Sequence, residues 1–233
     1  MKAFLLAAGL GTRLRPITDH TPKCLLSFGD RPMLDIWLDA LADAGIDEVL
    51  LNAHHLADQV TAHVTARLRA PKVRVVVEPR LLGSAGTLRA NRDFVAGEDM
   101  FLAINADNLT DFDLEVLIDA HRAGGAIATL SLFEAPDPTQ VGVVEVENGV
   151  VVGFEEKPAH PRGNLANAGM YAFSPALIEE ISGPDPRDIG FDLLPLLIGR
   201  ARSVQLGGSY FIDIGTAAAL QSAREEWKDR TRL

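Results

Sequence analysis

The sequence predicts an α/β fold: a mostly parallel, mixed sheet with helices on both faces. Three observations predict it. Short, wholly apolar runs alternate with segments of helical periodicity through the first half of the chain, the pattern of strands covered on both faces. The second half carries strands joined by tight-turn signals, which adds antiparallel pairs. And 233 residues with 47% hydrophobic content suffice for one sizeable core.

Each element has its own reason. KAFLLA, from Lys2, is a short apolar strand. RPMLDIWLDALADAG carries Met33, Ile36, Trp37 and Leu41 at helical spacing and stops at Gly45. DEVLLNA reads as strand. LADQVTAHVTARL repeats Leu56, Val60, Val64 and Leu68 every four residues, an amphipathic helix. VRVVVE is β-branched and MFLAIN apolar, both strands, and DLEVLIDAHRAG is a helix ending in glycine. After Gly125 come AIATLSLF, VGVVEVENGVVVGFEEKP with a hairpin signal at Asn148-Gly149, and LANAGMYAF. DLLPLLIG reads as helix, SYFIDIG as strand, and TAAALQSAREEW as a closing helix capped by Thr216.

Charge and cysteine usage exclude whole classes. The 22 Lys and Arg against 32 Asp and Glu give a net charge of −10, which argues against wrapping nucleic acid. A phosphorylated small molecule remains compatible, because a few cations focused in one cleft suffice. No apolar run approaches the roughly 20 residues of a membrane span, and the apolar start lacks a cleavage-site flank. The one cysteine, Cys24, forms no internal disulfide, so a cytoplasmic location is expected. Trp37 reads as core, Cys24 as packing, and His54 and His55 as structural residues at a strand end. Trp227 is a candidate for packing on a neighbouring subunit, which leaves a homo-oligomer open.

LLAAGLGTRLRPITDHTPK, Leu5 to Lys23, is the most informative stretch. A strand ending in Gly-x-Gly places backbone N–H groups where they can cradle an anion, and Arg13, Arg15 and Lys23 follow. A dinucleotide-binding turn would have glycine where Leu14 stands and a helix where Pro16 and Pro22 forbid one. The spacing is not that of a P-loop either. A long loop over a nucleoside triphosphate remains, with a plain surface role for Arg15 equally open.

LAAGLGTRLRPITDHTPK resembles the signature of the sugar-1-phosphate nucleotidyltransferases, with Ile17 where that family carries leucine. EPRLLGSAGTL (78–88) resembles the family's base- and ribose-binding segment. NAD (105–107) resembles its metal-binding strand end, with Ala106 in place of glycine. FEEKP (154–158), NAGMY (167–171) and FIDIGT (211–216) are similar to later motifs, in the same order. The resemblance implies a Rossmann-like, single nucleotidyltransferase domain over 1–233, its nucleotide half about 1–125 and its sugar-phosphate half about 126–233. No hexapeptide-repeat domain follows the closing helix, so no acyltransferase activity is expected.

The implied reaction joins a sugar 1-phosphate to a nucleoside triphosphate and releases pyrophosphate. The attacking phosphate oxygen is already an anion, so no general base is needed, and the six histidines form no catalytic constellation. The work left is charge neutralisation and alignment. Asp107 and Asp213 each follow an apolar strand, where α/β sheets bind ligands, and two carboxylates with phosphate oxygens suit Mg²⁺. The resemblance assigns both to that metal; Asp213 also reads as a helix cap. By resemblance Arg13, Lys23, Asp107 and Asp213 are the catalytic set. Leu6, Ala8, Gly9, Gly11, Thr12, Arg13, Glu78, Gly83 and Asp107 hold the nucleotide, and Gly142, Glu156, Lys157 and Asn167 the sugar phosphate.

The resemblance places residue 78 where a side chain meets the base edge, with Gly83 opposite, and an ionised Glu78 only accepts hydrogen bonds. That matches the N1–H and 2-amino donors of guanine and repels a pyrimidine O4. GTP is therefore expected, with mannose 1-phosphate or a manno-heptose 1-phosphate as acceptor. UTP or dTTP is the alternative. A catalytically silent regulator would have lost charged residues that stand here.

Overall fold

A computed structural model describes residues 1–229. Along the chain come β1 (Lys2–Leu6), the short β2 (Ser27–Phe28) and β3 (Arg31–Pro32), α1 (Met33–Asp43), β4 (Glu48–Ala53), α2 (Ala57–Ala66) and β5 (Lys72–Val77). Then follow α3 (Ser84–Ala90), β6 (Phe101–Asn105), β7 (Asn108–Thr110), α4 (Leu114–Gly124), β8 (Ala128–Glu134), β9 (Gly142–Glu147) and β10 (Val150–Glu156). The chain closes with β11 (Leu165–Phe173), β12 (Ala201–Gln205), β13 (Phe211–Asp213) and α5 (Ala217–Glu226). This is the expected α/β fold with parallel and antiparallel strands. Among the described residues no helix is long and apolar enough to cross a membrane.

The chain divides into two compact units. The first takes Met1–Arg80, Ile104–Asp113 and, among the described residues, 209–229. Its whole strands lie in the order β5-β4-β1, and it also takes the end of β6 from Ile104. β1, β4 and β5 are parallel, with Leu6 opposite Asn52 and Asn52 opposite Val76. That register leaves the carboxyl ends of the three strands level, the edge at which open α/β sheets bind ligands. β4 is apolar on both faces, with Val49, Leu50 and Leu51 fully buried. α1 buries Met33, Leu34, Ile36, Trp37, Leu38 and Leu41. It ends where Ile46 N–H reaches back to Leu41 C=O at 2.9 Å and Gly45 N–H to Ala42 C=O at 3.0 Å, the paired bonds of a glycine-terminated helix.

A small ladder beside these strands positions the site. β13 pairs antiparallel with β7, placing Asp213 opposite Asn108. Trp37 Nε1 donates to the Asn108 carbonyl at 2.8 Å, and Ile214 N–H to the Asp107 carbonyl at 3.1 Å. The expected strand SYFIDIG is thus only three residues long. Thr216 caps α5, its side chain accepting from Ala219 N–H at 3.1 Å. Trp227 is buried, its ring 5.7 Å from Tyr210 of the same chain.

The second unit takes Leu81–Ala103 and Leu114–Gly208. Its strands run β11-β8-β12-β10-β9, and a further β9–β11 pairing, Val143 opposite Ala166, brings the ends of the series together. β8 and β12 are parallel and the other printed pairs antiparallel. Asn148 and Gly149 both have positive φ, 51° and 77°, as a two-residue hairpin turn requires. Tyr171 stacks on Phe173 at 5.2 Å, and Phe101 meets Phe173 edge-on at 5.9 Å. DLLPLLIG is not the expected α-helix. A π turn at Ile189–Leu193 passes into a 3₁₀ turn at Leu194–Leu197, because Pro195 has no N–H to continue an α-helical ladder. α3 forms within GSAGTLRA, for which the sequence pattern had suggested no element.

Replacing Leu50 by alanine is expected to cost about 2–5 kcal/mol in urea unfolding. Leu68→Ala, at a side chain 97% exposed, should stay within about 0.5 kcal/mol. Equal losses at both positions would contradict the burial described.

Candidate active site

The glycine-rich loop is not a free span but three 3₁₀ turns, Thr12–Leu14, Ile17–Asp19 and Lys23–Leu25, separated at Pro16 and Pro22. Gly11 has φ +62°, and a Cβ there would stand 2.8 Å from Thr18 Cγ2, so glycine is required twice over. Its carbonyl accepts from Leu14 N–H at 2.9 Å and Thr18 Oγ1 at 2.8 Å. The segment after β4 braces this arrangement. His55 Nε2 lies 2.7 Å from the Thr18 carbonyl, and Gln59 Nε2 donates to the His20 carbonyl at 3.0 Å. A carbonyl only accepts, so the His55 proton sits on Nε2. Leu6 ends β1, Ala8 is buried, and Gly9, Thr12 and Arg13 are exposed. Arg15 pairs with Asp19 at 3.1 Å, with 60% and 42% of the side chains exposed; such a pair contributes little.

Three predicted residues converge. Lys23 Nζ lies 2.9 Å from Asp107 Oδ2 and 3.6 Å from Asp213 Oδ1. The lysine is only 11% exposed. Arg13 joins them: a Cβ on Gly215 would stand 2.6 Å from Arg13 Nη2 and 3.1 Å from Asp213 Oδ1. Gly215 thus leaves room for the guanidinium beside that carboxylate. Burial first, and then the negative charge of Asp107, push the Asp213 carboxyl above its ordinary range, against the pull of Lys23 and Arg13. Half of the Asp213 side chain still reaches solvent, which limits the effect.

Glu78 follows β5 and is buried. Its N–H donates to Ala53 C=O at 2.8 Å, its carbonyl meets His54 Nδ1 at 2.7 Å, and Oε1 accepts from Asn52 Nδ2 at 2.9 Å. Asn52 Oδ1 in turn accepts from Ala7 N–H at 2.7 Å. Sequence reasoning missed Asn52, although a polar residue in the apolar run LLNA was the available signal.

The second unit holds Gly83, Gly142, Glu156, Lys157 and Asn167. Gly83 has φ +78°, and a Cβ there would strike the Arg187 carbonyl at 2.1 Å. Cβ atoms at Gly142 and at Gly190 would lie 2.7 and 3.0 Å from Glu156 Oε2, so two glycines flank one carboxylate. Burial, with a smaller contribution from Asp188, raises the Glu156 pKa, opposed by Lys157. Lys157 holds φ +50°, a left-handed conformation rare for lysine, and its Nζ lies 3.9 Å from Glu156 Oε1. Asn167 is engaged locally: Nδ2 donates to Tyr171 Oη at 2.6 Å, and Oδ1 accepts from Gly169 N–H at 3.1 Å. Gly190 and Asp188 were not foreseen. Asp188 Oδ1 accepts from Gly190 N–H at 2.8 Å, and Oδ2 from Ser84 Oγ at 2.9 Å.

Residues 2–230 match the nucleotidyl transferase family. The chain belongs to that family. It is 39% identical over 188 residues to a protein of Streptomyces griseus named glucose-1-phosphate thymidylyltransferase, covering 80% of this chain and 53% of that one. It is 32% identical over 222 residues to the mannose-1-phosphate guanylyltransferase catalytic subunit beta of Xenopus tropicalis, covering 92% and 61%. The chain therefore spans between half and two thirds of these curated relatives. The crystal structure of HddC from Yersinia pseudotuberculosis complexed with GMP-PN superposes with a TM-score of 0.81 at 25% identity, covering 97% of this chain and 99% of that one.

A carboxyl whose folded pKa lies above its unfolded value contributes most stability below the unfolded value and loses it as pH rises through the folded one. Glu156, raised above 4.5, behaves so. Glu156→Gln should therefore gain in thermal midpoint over the parent at pH 7 relative to the same difference at pH 4. An equal difference at both pH values would contradict the burial assigned to this carboxyl.

Proposed function

We propose that this chain transfers a nucleotidyl group from a nucleoside triphosphate to a sugar 1-phosphate, giving a nucleotide-sugar and pyrophosphate. The observation that carries the reading is the convergence of Asp107 and Asp213 on the Lys23 ammonium, with Arg13 packed beside them. Two anions must be brought together for this reaction, and the residues on hand are cations and hard oxygen ligands.

The same convergence tests the fit of Mg²⁺. Both carboxylates already point at one cationic centre. Among the described residues no group of three or more His, Cys, Asp or Glu could hold a metal. A two-carboxylate set suits Mg²⁺, which takes its remaining ligands from water and substrate phosphates. Asp107 and Asp213 would hold the ion, which when bound supplies charge neutralisation to the triphosphate. Arg13 offers a planar fork to the departing pyrophosphate, and Lys23 neutralises the α-phosphate and the incoming phosphate. Backbone groups from Leu6 to Thr12 cradle the triphosphate, and Gly83 admits the nucleoside closely. In the second unit Lys157 neutralises the sugar phosphate, Glu156 and Asn167 bond sugar hydroxyls, and Gly142 allows a close approach.

GTP is the favoured nucleotide, because Glu78 presents acceptors. The guanylyltransferase relative and the GMP-PN complex of HddC support that choice. Mannose 1-phosphate or a manno-heptose 1-phosphate is the favoured acceptor. The thymidylyltransferase relative supports a second reading, in which dTTP or UTP is used. A cytoplasmic setting belongs to the proposal. It rests on Cys24, which is buried, its thiol pushed up to about 12 by burial, and so kept neutral.

Pyrophosphate release from four nucleoside triphosphates against a panel of sugar 1-phosphates, with Mg²⁺, tests the reading. GTP should give the highest kcat/KM, and Asp107→Ala should lower it by about 100-fold or more. Faster turnover of UTP or dTTP with every sugar would overturn the base; undiminished Asp107→Ala would overturn the metal role.

A further inference from the structure

We propose that Ser84 and Asp188 couple the binding of the two substrates, because their hydrogen bond ties the turn at Gly83 to the carboxylate of Glu156. The inference rests on the reading of Gly83 as nucleoside-facing and of Glu156 as sugar-facing. Every residue of the link lies in the second unit. Ser84 Oγ donates to Asp188 Oδ2 at 2.9 Å and accepts from Ile189 N–H at 2.7 Å. One hydroxyl is thus bonded in both senses to a single turn. The backbone repeats the attachment. Arg187 N–H donates to the Leu82 carbonyl at 2.8 Å, and the Arg187 carbonyl accepts from Ala85 and Gly86 N–H at 3.0 and 3.1 Å. Residues 82–86 and 187–189 therefore form one clasp, and it closes on Gly83.

From Asp188 the link continues to Glu156. Asp188 Oδ1 accepts from Gly190 N–H at 2.8 Å and from Phe191 N–H at 3.4 Å, which fixes the position of Gly190. A Cβ on Gly190 would meet Glu156 Oε2 at 3.0 Å and Asp188 Oδ1 at 3.2 Å, so the Gly190 backbone lies against both carboxylates. A shift of Asp188 is felt at Glu156 through that contact, and through charge as well. Asp188 is exposed and Ser84 partly so, and water therefore competes for their bond in the free protein. A nucleoside seated at Gly83 would order Ser84, and through it Asp188 and Gly190. A sugar 1-phosphate would then find Glu156 already placed. The ordering entropy is lost once rather than twice, which makes the two ligands favour each other.

Calorimetry on the whole chain with Mg²⁺ tests this, using mannose 1-phosphate and α,β-methylene GTP, whose bridging carbon blocks transfer. In the parent, the analogue should lower the Kd of mannose 1-phosphate by about fivefold or more. Ser84→Ala and Asp188→Ala should each bring that factor to within about twofold of one, and the double variant should lose no more than either alone. A purely structural pair would weaken both ligands and leave the factor unchanged; that result overturns the inference, as do losses that add in the double variant. Hydrogen exchange in the parent needs no variant to fold. There the analogue alone should slow the Ile189 and Gly190 amides by about fivefold or more, and unchanged exchange with the analogue bound overturns the coupling. Failure of either ligand to bind the parent at all overturns the reading of the substrates, and the inference with it.

Discussion

Two carboxylates at neighbouring strand ends repel each other, and the first unit is arranged around the lysine that relieves them. Lys23 Nζ sits 2.9 Å from Asp107 and 3.6 Å from Asp213. It ties together three segments far apart in sequence: the signature loop, the end of β6 and the end of β13. Low exposure of the lysine, 11%, makes this attraction less screened than a surface pair. The short β7–β13 ladder and the Trp37 bond to the Asn108 carbonyl carry the aspartates to that point.

Around it, rigidity comes from side chains that bond backbone rather than from the loop's own glycines. His55 holds the Thr18 carbonyl, Thr18 holds the Gly11 carbonyl, and that carbonyl closes the turn bearing Arg13. Asn52 does the same for the carboxylate of Glu78. In the second unit Glu156 is placed by the absence of side chains at Gly142 and Gly190. In each case a charged side chain or the turn that bears it is fixed by its neighbours. Pre-organisation of this kind would serve the proposed transfer, whose groups would not have to be ordered during the reaction.

Much of this was legible in the sequence. β1, β4 and β6 are apolar on both faces, so their runs declared a covered sheet, and Asn148-Gly149 declared its hairpin. The positions of Asp107 and Asp213 after apolar runs placed them at strand ends. The rest depended on contacts distant in sequence. Nothing local encodes the pairing of Phe211–Asp213 with Asn108–Thr110, which returns the end of the chain to the first unit. Asn52 and Glu78 meet across 26 positions through strand register alone. Asp188 and Gly190 lie just before DLLPLLIG, the segment read as a helix, in a stretch that no periodic pattern marks. His54 and His55, read as structural, do bond the carbonyls of Glu78 and Thr18.

The most direct measurement is the thermal midpoint of Lys23→Met with and without millimolar Mg²⁺. Without metal, the two carboxylates lose their shared cation, and the midpoint should fall by about 2–4 °C, the shift that ~1 kcal/mol produces in a chain of this size. Mg²⁺ should restore it in Lys23→Met and leave Lys23→Met/Asp107→Asn/Asp213→Asn unmoved. A midpoint in Lys23→Met that ignores Mg²⁺, or an equal rise in the triple variant, would contradict the convergence of Asp107 and Asp213 on a single cation.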